Sequence, residues 1–162
     1  KIDEKLKTFF NYDEIFGTVI NRFIVQAIVN YPLTIYGGGG QTRGFININD
    51  TMQCIFHSAN SLPKKGELKI FNQITETFSV NELATLTQKI GNRRGHNVKI
   101  ENIENPRKEA EENYYNPVYN GLKDIGLIPH FLTDSIMNDF FEIVENYSSN
   151  IRKDIIFKGV KW

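Results

Sequence analysis

The stretch Pro32 to Asp50, PLTIYGGGGQTRGFININD, decides how this chain is read. Leu33, Thr34, Ile35 and Tyr36 combine β-branched and aromatic residues and predict a strand. The backbone groups of that strand and the Tyr36 ring can hold a flat base. Gly37 to Gly40 let the chain turn sharply and come close to a ligand. Gln41 brings both a donor and an acceptor, and Arg43 brings a planar fork that suits a diphosphate. Arg43 to Ile48 reads as a second strand, after which Asn49 and Asp50 open a helix.

The pattern continues on both sides. From Gly17 to Asn30 the apolar residues Val19, Ile20, Phe23, Ile24, Ala27 and Ile28 recur at helical spacing, and Tyr31-Pro32 stops the helix. Asp50 with Gln53 predicts a cap for a helix reaching about Asn60, with a turn at Pro63 to Gly66. Glu67 to Phe71 reads as a short strand. Ser79 with Glu82 forms a capping box for a helix carrying Val80, Leu83, Leu86 and Ile90. Asn92 to Asn97 is a polar, basic exit loop, and Val98 and Ile100 suit another strand. Asn116-Pro117 predicts a helix ended by Gly126, and Thr133 caps one running to about Tyr147. Four or more helices alternating with about five strands make an α/β chain.

Composition narrows the function classes. The chain has 162 residues and a hydrophobic fraction of 40%, enough for a single domain with a real core. Nineteen basic and nineteen acidic residues cancel, so net charge favours neither nucleic acid nor an anionic membrane. Cys54 is a lone cysteine in an apolar run and reads as a small buried hydrophobe. With no long apolar span, and with Lys1 to Lys7 too charged for a signal peptide, a cytoplasmic setting is expected. His57, His96 and His130 lack metal-ligand spacing, so no metal site is expected. No local motif suggests a Ser-His-Asp triad. The Gly-x-x-Gly-x-x-Gly turn of a dinucleotide fold is missing, and no Gly-Lys-Ser/Thr follows the four glycines.

Taken together, Pro32 to Asp50 resembles the substrate-binding half of extended short-chain dehydrogenases that act on nucleotide sugars, the NAD-dependent epimerase/dehydratase family. There a PLTIYG strand precedes an Arg-x-Phe-x-x-Val-x-Asp element, here Arg43 to Asp50. Gly44 stands where that element usually has aspartate, as expected of the branch that adds sulfite to UDP-glucose. Further phrases agree: Tyr12-Asp13-Glu14-Ile15-Phe16-Gly17-Thr18 with Asn21-Arg22-Phe23, Phe71-Asn72-Gln73 with Phe78 to Leu83, and Asn105-Pro106-Arg107 with Glu109 to Glu112 and Tyr114-Tyr115-Asn116. The resemblance runs along nearly the whole chain but matches only the family's C-terminal part.

It implies that residues 1–162 are one sugar-nucleotide-binding unit with a small mixed sheet and several helices. The Rossmann half that holds NAD is largely absent. The catalytic tyrosine and lysine are expected upstream of Lys1, leaving this portion inactive alone and homodimeric when complete. Residues 50–72 are expected to pack on the missing domain. The implied reaction oxidises UDP-glucose at C4 with bound NAD, eliminates water across C5 and C6, adds sulfite at C6 and returns the hydride. Another UDP-sugar epimerase or dehydratase, and a non-catalytic nucleotide-sugar-binding module, are the alternatives.

Site residues follow from the same resemblance. Thr34 and Ile35 would meet uracil through backbone groups. Tyr36 serves equally as core or base platform on pattern alone, and the resemblance favours the uridine. Arg43 on pattern alone could be a solvated charge at a strand start; with Arg107, on a separate loop, it would clamp both phosphates with paired hydrogen bonds, helped by Gln41. Asn21 and Arg22 sit at the mouth of the first helix, where Arg22 could equally pair with Asp13 or Glu14. Glu109, Glu111 and Glu112 read as a solvated face. Tyr119 and Lys123 match the family's catalytic spacing but follow Asn116-Pro117 on a helix ending near Gly126, so the pair reads as a decoy.

Overall fold

Thr18 begins the first helix by accepting the Asn21 N–H on its side chain, and α1 runs Val19–Ile28. Asn30, at φ +55°, turns the chain out of it before Pro32. The computed structural model describes residues 10–13, 16–105, 117–118 and 120–156. Strand β1, Leu33–Tyr36, then passes through the glycines into β2, Thr42–Phe45. Helix α2 spans Ile48–Asn60, β3 Glu76–Ser79, α3 Val80–Arg93 and β4 Ile100–Ile103. Short α4, Gly121–Asp124, precedes α5, Asp134–Asn146, and α6, Lys153–Ile156.

The mixed sheet is realised as two separate ladders. β1 pairs in parallel with β4, Leu33 opposite Ile100 and Tyr36 opposite Ile103. β2 pairs antiparallel with β3, Thr42 opposite Ser79 and Phe45 opposite Glu76. Helices α1, α3 and α5 pack with β1 around Phe23, Ile24, Leu33, Ile35, Leu83, Ile90, Met137 and Phe141, all essentially removed from solvent. Each such side chain contributes about 2–3 kcal/mol of transfer free energy. Gly91 permits the close approach of α3 to this core, since a Cβ there would lie 2.6 Å from Val98 Cγ2. A second small cluster, Cys54, Leu122 and Leu127, joins α2 to α4. There burial, and next the charge of Asp50, push the Cys54 thiol up.

Several expectations are corrected. The second strand ends at Phe45, and Asn47 caps α2 by accepting the Asn49 N–H; Asp50 lies buried inside the first turn. Residues 67–71 form no strand, because an extended segment needs a partner for its backbone groups and none of the described strands lies beside it. β3 was hidden in the sequence by the capping box that follows it. Pro117 and Val118 are not helical, and only Gly121–Asp124 forms the helix that Gly126, at φ +112°, closes. By contrast, the Ser79 capping box forms as read, with Ser79 N–H donating to Glu82 and Glu82 N–H to Ser79 Oγ.

Apolar side chains are exposed along α2 and the segment that follows it. Ile48, Met52, Ile55 and Phe56 share one stripe of α2 and all face solvent, as do Leu62, Leu68 and Ile70, the last two more than three-quarters exposed at 83% and 76%. Among the described residues no helix is long and apolar enough to cross a membrane.

Candidate nucleotide-sugar site

Arg22, Thr34, Tyr36 and Gln41 meet around β1. Arg22, one turn into α1, extends across to β1, where its Nη2 donates to Thr34 Oγ1 at 2.8 Å. Its guanidinium carbon sits 5.5 Å from the centre of the Tyr36 ring, a cation–π contact. The fully buried Gln26 locks the same strand: its Nε2 donates to Thr34 Oγ1 at 2.9 Å and its Oε1 accepts the Thr34 N–H at 3.2 Å. Thr34 is therefore held by α1 through both its hydroxyl and its amide. Ile35 is a core residue, 2% exposed. Tyr36, at the strand's end, is partly exposed beneath Arg22.

The glycine loop is fixed. Gly37 and Gly39 take φ of +65° and +72°, a region side chains disfavour, and a Cβ on Gly39 would strike Asn81 at 2.2 Å. Asn102 Nδ2 of β4 donates to Gly37 O at 2.7 Å, and Asn81 Nδ2 of α3 donates to Gly38 O at 2.8 Å. The Asn81 backbone N–H donates to Gly39 O at 3.0 Å. Gln41 bends back so that its Nε2 donates to the Tyr36 carbonyl at 3.3 Å. Its Oε1 is buried and has no hydrogen-bond partner among the described residues. A buried acceptor left this way costs about 1–3 kcal/mol, which a donor from a ligand would relieve.

Arg43 follows on β2, exposed, with Nη1 donating to the neighbouring Thr42 carbonyl at 3.0 Å. Asn21 turns elsewhere, its Nδ2 donating to Asn11 O at 2.9 Å, which ties α1 to the preceding segment. Arg107, Glu109, Glu111, Glu112, Glu14 and Tyr119 lie outside the described residues. Lys123 sits on α4. Among the described residues no group of three or more His, Cys, Asp or Glu could hold a metal ion.

Sequence reasoning missed Gln26, Asn81 and Asn102. Gln26 carried a readable signal, being a polar side chain one helical turn from Phe23 and beside Ala27 in an apolar face. Asn81 was masked by the capping box around it, and Asn102 by the ordinary alternation of a strand. The described residues do not offer the phosphate-binding turn that a dinucleotide needs. The Gly37 to Gly40 turn links strand to strand, whereas a cofactor pyrophosphate rests on a helix N-terminus after such a turn.

The parallel ladder packed with α1, α3 and α5, and the antiparallel ladder beside α3, make an α/β fold similar to part of solved UDP-sugar 4-epimerases. The chain aligns with UDP-glucose 4-epimerase from Thermotoga maritima, solved with UDP-glucose, at a TM-score of 0.64 and 17% identity, covering 84% of this chain and 42% of that one. UDP-glucuronic acid 4-epimerase from Bacillus cereus, solved with UDP-glucuronic acid and NAD, aligns at 0.62 and 19%, covering 80% and 40%. The chain is homologous along its length to enzymes named UDP-sulfoquinovose synthase. It is 45% identical to the spinach chloroplast enzyme over 98% of its own length and 33% of that protein's, and 40% identical to the Sulfolobus acidocaldarius enzyme over 99% and 42%. The chain thus spans between a third and two-fifths of these relatives. No protein-family model matches it.

Proposed function

We propose that the chain is the UDP-sugar-anchoring part of an NAD-dependent UDP-sulfoquinovose synthase, which converts UDP-glucose and sulfite to UDP-sulfoquinovose for sulfolipid or sulfosugar synthesis. The observation that carries this reading is 45% identity over 98% of the chain to the spinach enzyme. NAD, when bound to the rest of the enzyme, supplies the hydride acceptor and donor. What this chain contributes is position: it fixes UDP so that the glucose ring faces the reacting centre.

Each side chain has a part in that positioning. Tyr36, with Arg22 above it, offers a ring face for uracil. Gln41 Oε1 matches a donor, and because a diphosphate has none to give at neutral pH, the acceptor belongs to the nucleoside, its ring N–H or a ribose hydroxyl. Arg43 and Arg107 complete the clamp on the phosphates. Thr34 and Ile35 shape the strand beneath, and Asn21 holds the entrance to α1. The apolar face of residues 50–72 docks on the remainder of the complete polypeptide, which is a homodimer.

Sulfite-dependent turnover of UDP-glucose by the complete protein tests the reading. Formation of a 4-epimer without sulfite would instead favour the epimerase reading, to which the solved neighbours lend the fold. Tight UDP binding by residues 1–162 alone, with no turnover in any longer form, would favour a binding module.

A further inference from the structure

Three successive carbonyls of the glycine loop are held by two asparagines: Gly37 O by Asn102 Nδ2, Gly38 O by Asn81 Nδ2 and Gly39 O by the Asn81 N–H. A trans peptide is planar, so its carbonyl and the next residue's N–H point in opposite directions. The amides of Gly38, Gly39 and Gly40 are therefore each turned away from the asparagine that holds the preceding carbonyl. Successive amides arranged by alternating loop geometry make a concavity suited to an anion. Gly38 and Gly40 are exposed, and a Cβ on either would meet nothing within 4 Å. The fold itself does not require glycine there, whereas a group approaching the backbone does.

We infer that Asn81 and Asn102 are positioning residues for the diphosphate of the nucleotide sugar. They hold the glycine loop so that the exposed Gly38 and Gly40 turn their amides to the ligand, and neither asparagine touches it. This rests on the anchoring role proposed above and adds to it two residues outside the predicted site. Pre-setting the loop removes the ordering cost that four flexible glycines would otherwise impose on binding.

The test is calorimetry with UDP and steady-state kinetics on the complete enzyme carrying Asn81→Asp or Asn102→Asp. Each keeps the side chain's size and replaces the donor to Gly38 O or Gly37 O by an acceptor. The expected result is UDP binding weakened by about tenfold or more, with KM for the UDP-sugar rising in step, kcat changed much less and the melting temperature nearly unchanged. Wild-type UDP affinity in the folded variants would overturn the inference. Asn102 is exposed on β4, so if Asn81→Asp fails to fold, Asn102→Asp decides alone. Absence of UDP binding by the wild-type enzyme would overturn the anchoring role itself, and this inference with it.

Discussion

Asp50 holds His130 twice: its Oδ2 accepts the His130 backbone N–H at 2.8 Å, and its Oδ1 faces the ring Nδ1 at 2.5 Å. Gln53 and Glu76 extend the same tie along the segment. Gln53 takes both the N–H and the carbonyl of Ile128, and Glu76 Oε1 accepts the Leu132 N–H at 2.6 Å. Side chains of α2 and β3 thus substitute for a neighbouring strand along residues 128–132, which lead into α5. Asp50→Ala removes a fully buried carboxylate and strands its donors, so it is expected to cost about 2–4 kcal/mol in urea unfolding of the complete protein. His130→Ala should cost distinctly less, since its ring is half exposed and the backbone bond survives. Equal losses would show that the ring carries the tie.

Acid sensitivity should map to α3 and α5. Glu145 of α5 is bonded by Arg94 through both Nε and Nη2 and by His96 Nε2 at 2.8 Å. The Arg94 hydrogen bonds, then those of His96, hold its carboxyl below the usual carboxylate range. A group depressed in the folded state binds its proton more readily in the unfolded chain. Its stabilisation is present above the ordinary carboxylate pKa and is lost as pH falls toward the depressed value. Glu145→Gln should therefore lower stability at neutral pH and flatten its decline in the acid range. An unchanged acid slope in urea titrations would assign the sensitivity elsewhere.

Much of this was legible in the sequence because the governing signals were local. Ser79 and Thr133 cap the helices they were expected to cap, and the glycines turn where φ must be positive. What was not legible depends on partners distant in the chain. Asp50 fits a helix-capping pattern, and nothing near it reveals that its partner is His130, eighty residues on. Glu67 to Phe71 has a strand's composition yet no strand beside it. Tyr36 is ambiguous between core and platform in the sequence, and the Arg22 guanidinium that lies over its ring comes from a separate element, α1.

The four glycines should respond to substitution in opposite ways. Gly39→Ala places a Cβ 2.2 Å from Asn81 Oδ1 at a φ that side chains disfavour, and is expected to destabilise by about 1–3 kcal/mol and to displace the loop. Gly38→Ala projects into open space, so the melting temperature should hold while UDP binding weakens. Unimpaired UDP binding by Gly38→Ala would mean that no ligand approaches the backbone there.

Arg43→Ala and Arg107→Ala together should abolish measurable UDP binding by the complete protein, and each alone should weaken it by about ten- to a hundredfold. Arg43→Lys should recover little, since an ammonium keeps the charge but not the paired geometry. A double variant that binds UDP as well as the wild type would remove the clamp from the proposal.

Helix α2 places Ile48, Met52, Ile55 and Phe56 on one outward stripe while Asp50 and Cys54 face inward, the reverse of a surface helix that buries its apolar side. Leu68 and Ile70 are likewise exposed, on a segment with strand composition. The chain spans 33% of the length of its spinach relative, and exposed apolar surface of this kind suits a contact surface. If the remainder of the polypeptide covers it, a charge there is buried against apolar neighbours. Ile55→Lys is then expected to destabilise the complete protein by about 2–4 kcal/mol, while reducing self-association of residues 1–162 alone. Urea unfolding of the two forms measures both effects alongside light scattering of the shorter one. An Ile55→Lys variant of the complete protein with an unaltered midpoint would leave the stripe in solvent and end the docking proposal.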